Sequence, residues 1–176
     1  MQKGFISMTS RYKNIHPMPK PNTVNGIIEI SMGDIQKYEY NEQLDVYVLD
    51  RTLPSTMTYP MSYGFVPNTL GGDGDCIDIC VYSRFPILRD TLVELKIVTA
   101  LELIDNGKMD YKFIGIPTSN PNLDNYNTVK DLDPIVLGHT KNFFSLYKSK
   151  QKNNDVIVKD WLSLEDSMDI LVSSIL

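Results

Sequence analysis

The hydrophobic pattern predicts several strands first and helices late. From Val24 the chain is strand-like: Ile27, Ile28 and Ile30 surround Glu29, and a turn at Met32-Gly33-Asp34 follows. In Lys37-Tyr38-Glu39-Tyr40 a strand period puts Lys37 and Glu39 on one face and the two tyrosines on the other. Asp45-Val46-Tyr47-Val48-Leu49 continues the meander and ends on Asp50-Arg51. Residues 54–70, rich in tyrosine and proline, read as a loop that includes Tyr59 and Tyr63. Residues 92–104 are β-branched and alternating, and Asn106-Gly107 is the strongest hairpin signal in the chain. A two-residue turn there pairs Asp105 with Lys108, Leu103 with Asp110 and Leu101 with Lys112, all on one face.

Helical spacing takes over in the last third. Asp133-Pro134 is a cap and first helical position for Val136, Thr140, Phe143, Phe144 and Tyr147, and this helix ends near Tyr147-Lys148. Val156-Ile157-Val158 reads as a short strand. Ser163, with Asp166 three residues on, starts an amphipathic helix through Leu164, Met168, Leu171 and Ile175 that runs almost to Leu176. The pattern is that of an α+β domain with a small closed or nearly closed sheet.

Composition narrows the function classes. A chain of 176 residues, 42% of them hydrophobic, makes one domain with a real core. A net charge of −5 argues against a general nucleic-acid or anionic-membrane surface, so a polyanionic ligand has to meet local positive charge or metal. Cys76 and Cys80 suit neither a disulfide framework nor a zinc site, and a reducing cytosol is the simplest setting. No apolar run is long enough to span a bilayer. Residues 1–23 carry Lys3, Arg11, Lys13 and Lys20 without an acid and are broken by Pro17, Pro19 and Pro21, which reads as a flexible extension ahead of a single domain at 24–176.

The chemistry concentrates in Gly72-Asp73-Gly74-Asp75-Cys76-Ile77-Asp78. Three carboxylates so close repel one another unless they take up protons or hold a hard cation. The ligand spacing of an EF-hand fails, since Ile77, Asp78 and Arg84 stand at its fifth, sixth and twelfth positions, and there is no phosphate-binding GxxxxGK[ST] loop. Taken singly, Lys37 with Glu39 and the 105–112 hairpin read as solvated charges. Together, many carboxylates beside Lys37, Arg51, Lys112, Lys148 and tyrosine hydroxyls divide the labour of phosphoryl hydrolysis, with carboxylates for Mg²⁺ and cations for phosphate oxygens.

Asp-Gly-Asp-x-x-Asp before an apolar strand, preceded by Tyr-Pro-x-x-Tyr-Gly, resembles the soluble family I inorganic pyrophosphatases of the short bacterial type, over about Val24 to Trp161. The resemblance implies a five-stranded barrel of OB-like shape with flanking helices, two of them C-terminal. It also implies Mg²⁺-dependent hydrolysis of pyrophosphate by direct attack of a metal-activated water, with several Mg²⁺ per site. In that picture Asp73, Asp78 and Asp110 hold the first ion, and Asp105, Asp110 and Glu39 hold ions that arrive with substrate. Asp75 accepts the proton of the attacking water. Lys37 and Tyr63 grip the phosphate under attack, and Arg51, Tyr147 and Lys148 the leaving one. Lys112 and Tyr59 belong to the site, and Glu29 supports it. A hexamer is the assembly implied, and the cytoplasm the compartment.

Three departures stand out. Cys76 replaces the proline usual after Asp75 and leaves a thiol near the metals, open to oxidation. Asn106 follows Asp105 where an acid is frequent. Asn142 and Leu146 stand where some bacterial members carry interface histidines. Two other readings remain open at this stage: a metal-stabilised OB-like binding module, and a homologue that has lost activity.

Overall fold

The computed structural model describes residues 10–54, 56–149 and 155–176. Its strands are β1 (Thr23–Ile30), β2 (Gln36–Asn41), β3 (Val46–Thr52), β4 (Ser62–Val66), β5 (Ile77–Val81), β6 (Leu92–Asp105), β7 (Lys108–Pro117) and β8 (Val156–Trp161). The helices are α1 (Pro134–Leu146) and α2 (Leu164–Ser173).

Five strands close on themselves in the order β1-β4-β5-β7-β6, because β1 pairs with β4 through its second half and with β6 through its first. Strand β8 adds to the free side of β6, and β2 with β3 forms a separate two-stranded hairpin. The small barrel expected from the sequence is therefore present. Its one parallel pair, β5 with β7, sets Asp78 beside Lys112.

Alternation along the strands sorts the side chains into two cores. Val24, Ile28, Val66, Ile79, Leu95 and Phe113 are among the residues that fill the barrel, with Leu171 of α2 packed against them. The opposite face of the same strands, with Tyr63, Cys80, Leu101, Leu103 and Ile114, packs under Phe143 and Phe144 of α1. Each of these phenylalanines, fully buried, contributes about 1.5–3 kcal/mol. This second face leads to the acidic loop and carries the polar residues of interest.

The local signals act as their chemistry requires. Asn106 and Gly107 both take positive φ, the two-residue turn that matches strand twist, and the register is Asp105↔Lys108, Leu103↔Asp110 and Leu101↔Lys112 as expected. The Asp133 carboxylate caps α1 by accepting from the Ile135 N–H at 2.8 Å, and the Ser163 hydroxyl caps α2 by accepting from Asp166 N at 3.0 Å. Ser174 closes α2, and Ile175 leaves the helix to bridge Thr69.

Two expectations need correcting. The loop read at 54–70 contains β4, whose five residues are all buried. With both faces covered, β4 shows no alternation, and the flanking Pro60 and Pro67 disguise it as a turn. At Gly64 a Cβ would lie 1.8 Å from the Ile27 carbonyl oxygen, so only glycine lets β4 approach β1. Part of the stretch read as a flexible extension is packed: Tyr12 is buried, and the Asn68 amide donates to the carbonyls of Lys13 at 3.2 Å and Ile15 at 2.7 Å. Residues 1–9 lie outside the described residues.

Candidate active site

The acidic loop joins β4 to β5. Gly74 takes φ +97, the left-handed turn that glycine makes without strain. The Gly71 N–H donates to the Asp75 carbonyl at 2.7 Å, and the Asp75 N–H donates to Asp73 Oδ1 at 3.0 Å, so the turn is held by its own polar groups. Asp73 and Asp75 are exposed at the rim. Asp73, Asp78 and Asp110 line one small pocket between this loop and β7, with Gly72, Met109 and Tyr111.

Below the rim stands Lys112. It is buried, and its ammonium donates to Asp78 and to both oxygens of Asp110, at 3.0 Å to Oδ1 and 2.7 Å to Oδ2. The hairpin is thus not a solvated set of alternating charges: its Asp110 and Lys112 face inward under α1. Burial disfavours the Lys112 cation, yet the carboxylates of Asp78 and Asp110 more than offset it and hold its pKa well above the usual lysine value. Burial raises the Asp110 carboxyl against the pull of Lys112.

The β2–β3 hairpin forms the second wall. Lys37 and Arg51 are direct register partners. Lys37 pairs with Glu39 and lies 3.2 Å from Asp50, and Arg51 pairs with the same Asp50. Asp50 is a residue the sequence reading passed over; it is the extra residue at the register shift between the Lys37–Arg51 and Tyr38–Leu49 pairs, which strand alternation does not signal. Arg51 also stands 5.6 Å over the Tyr147 ring, yet among the described residues its buried Nε and Nη2 find no hydrogen-bond partner.

Helix α1 supplies the third wall at its C-terminal end. Tyr147 caps the helix with its N–H on Phe143 O at 2.8 Å, and the next residue, Lys148, pairs with Asp105. Tyr59 and Tyr63, with ring centroids 5.5 Å apart, form the floor against Phe143 and Phe144. Burial pushes both phenols up, and the Tyr59 hydroxyl has no hydrogen-bond partner among the described residues. Half-buried Glu29 accepts from the Tyr40 N–H at 2.7 Å, and burial pushes its carboxyl up to about 8. Arg89, another residue the sequence did not flag, donates to the Glu29 carbonyl at 2.8 Å and stacks 3.3 Å from the Tyr38 ring centroid. Cys76, partly buried, packs beside Tyr12 and Phe65, and burial pushes its thiol up to about 12, which disfavours the thiolate that oxidation needs.

The donor set is chemically uniform. Among the described residues no three His, Cys, Asp or Glu side chains already stand close enough together to hold a metal ion by themselves. The rim offers separated carboxylates, which suit a hard cation that keeps its waters and takes further oxygens from a phosphate.

A closed barrel whose outer face gathers carboxylates around buried cations defines a protein for an oxygen-rich anion and hard metal ions. The comparisons narrow that class. The family model "Inorganic pyrophosphatase" matches residues 26–176. The chain is 35% identical to the inorganic pyrophosphatase of Campylobacter jejuni over 157 residues, 88% of this chain and 91% of that one. It is 37% identical to that of Nostoc over 138 residues, 78% and 82% of the two chains. The crystal structure of inorganic pyrophosphatase from Thermus thermophilus superposes with a TM-score of 0.89 at 32% identity, covering 94% of this chain and 97% of that one. The chain belongs to the inorganic pyrophosphatase family.

Proposed function

We propose that this chain hydrolyses inorganic pyrophosphate to two phosphates with Mg²⁺ as cofactor, by direct attack of water. Arg51 carries the reading: two N–H groups of a buried guanidinium lack partners in a wall where the neighbouring cations are paired, and phosphate oxygens satisfy them in bidentate fashion.

Asp73, Asp78 and Asp110 would hold the first ion, and Asp105, Asp110 and Glu39 those that arrive with substrate. When bound, Mg²⁺ lowers the pKa of the attacking water and offsets the charge that develops on the bridging oxygen. Asp75, exposed at the tip of the acidic loop, takes the proton of that water. The water oxygen bonds to one phosphorus as the bond from that phosphorus to the bridging oxygen breaks, and the bridging oxygen leaves with the second phosphate. Lys37 and Tyr63 orient the phosphate under attack. Arg51, Tyr147 and Lys148 steady the leaving one. Lys112 bridges Asp78 and Asp110, while Tyr59 closes the floor and Glu29 ties the hairpin to the barrel through Tyr40.

The assembly we propose is a hexamer in the cytoplasm. Exposed Ile135 and Leu146 on α1 are the kind of apolar surface that a subunit contact covers. Phosphate release by the purified protein tests the catalytic reading. Release from pyrophosphate that requires Mg²⁺, with ATP left intact, supports it; a folded protein that releases none with any divalent ion overturns it.

A further inference from the structure

The β2–β3 hairpin carries Lys37, Glu39, Asp50 and Arg51, yet it is a separate two-stranded sheet that shares no ladder with the barrel. Something else must fix its angle over the site. On β2, Glu29 of the barrel accepts from the N–H of Tyr40, one residue before the strand ends at the turn, and Arg89 stacks on Tyr38 nearer the middle. At the turn itself, the stretch around Arg11 and Tyr12, ahead of the residues that the family model matches, makes polar contacts to Asp45 and Tyr47.

Arg11 reaches two turns at once. Its Nε donates to Asp45 Oδ1 at 2.8 Å in the hairpin turn, and its Nη1 donates to Asp90 Oδ2 at 2.9 Å in the loop before β6. Both aspartates sit at positive φ, 54° and 67°, so each carboxylate projects from a tight turn. Tyr12 repeats the link at depth. Its hydroxyl donates to Asp90 and so accepts from Tyr47 of β3 at 2.7 Å, while its ring lies 4.7 Å from Tyr40 and 5.7 Å from Phe65 by centroid. Tyr40 in turn bonds Asp45. The segment itself is fastened to the barrel by the Asn68 amide on the carbonyls of Lys13 and Ile15.

We infer that Arg11 and Tyr12 are positioning residues for the reaction: they latch the hairpin turn to the barrel and so set the placement of Lys37, Glu39 and Arg51. The inference rests on the reading of the site as a pyrophosphatase. Arg11 is exposed, and exposed ion pairs contribute little, so buried Tyr12 carries the larger part.

The test uses the full chain with Tyr12→Phe, which keeps the ring and removes the hydroxyl, Arg11→Ala, and Lys20→Ala as a control. Lys20 ties the same segment to Glu94 of β6 at 2.9 Å, away from the hairpin. In Tyr12→Phe the KM for magnesium pyrophosphate rises about fivefold, the factor that one lost hydrogen-bond node corresponds to, and Arg11→Ala shows a smaller rise. Amide hydrogen exchange quickens across 36–52 and stays unchanged across 77–81 and 108–117. Lys20→Ala changes neither. Unchanged KM and exchange in Tyr12→Phe, or an equal shift in Lys20→Ala, overturns the latch. A wild-type protein without pyrophosphate hydrolysis refutes the functional reading instead, and hydrogen exchange then decides on the latch by itself.

Discussion

The ammonium of Lys112 sits against both oxygens of Asp110, at 2.7 and 3.0 Å, in a pair that is closed to solvent. Asp110 and Lys112 are two apart on one face of β7, and the parallel pairing of β5 with β7 sets Asp78 beside Lys112. Breaking a buried pair by deleting one partner costs about 3–5 kcal/mol, because the other charge stays buried. Lys112→Met is therefore expected to lower thermal stability strongly in chelator-treated buffer. Mg²⁺ should restore part of that loss, since the carboxylates left behind are the ones assigned to metal. Equal stability of variant and wild type without metal would count against the pairing.

Arg51 and Tyr59 invert this logic. Among the described residues their buried Nε, Nη2 and hydroxyl groups have no partner, which costs about 1–3 kcal/mol for each unsatisfied group. Tyr59→Phe removes one such group and keeps the ring packed on Phe143. It is expected to be as stable as wild type or more so in a denaturant titration, while its kcat/KM for pyrophosphate falls. A clear loss of stability would show that the hydroxyl has a partner in the folded protein.

Glu29 makes stability depend on pH. Its carboxyl rises from an ordinary 4.5 to about 8 on folding, because burial disfavours the anion. The folded state then binds more protons than the unfolded one between those values. This contribution is present below about 4.5 and is lost as pH rises through 8. Glu29→Gln should flatten that segment of the stability curve, measured without divalent ions, and should gain on wild type at the alkaline end. A wild-type curve that climbs from pH 5 to 8 in step with the variant's would rule out the raised value.

Cys76 should react slowly. A thiol pushed up to about 12 by burial offers almost no thiolate at neutral pH. Alkylation of the native protein is expected to lag far behind that of the urea-unfolded chain, and peroxide should leave activity largely intact. Rapid native-state labelling at Cys76, located by mass spectrometry, would contradict the buried environment.

What the sequence disclosed depended on how local each signal was. The 105–112 register was legible because Asn106-Gly107 fixes the turn and the strand period then fixes every pair. Asp133 and Ser163 announced their helices by capping chemistry alone. Strand β4 was hidden because burial on both faces erases alternation. The inward turn of Lys112 and Asp110 was equally hidden, since alternating charges look the same on a wet hairpin and under a helix. Asp50, Arg89 and the latch at Arg11 and Tyr12 depend on contacts 13 to 79 residues apart, which no local pattern encodes. The site residues that could be placed from sequence came from motif resemblance. The structure joins them through named contacts: Lys37 to Asp50 to Arg51, Arg51 to Tyr147, and Lys148 to Asp105.

Asp75→Asn tests the account most directly. The substitution keeps size and leaves the Asp75 N–H bond to Asp73 available, so the loop should hold its shape. The account predicts that Mg²⁺-dependent phosphate release from pyrophosphate falls by about 10²–10⁴-fold, while binding of magnesium pyrophosphate, followed by calorimetry, is retained. Release at the wild-type rate would contradict the assignment of Asp75 as the base that takes the proton of the attacking water.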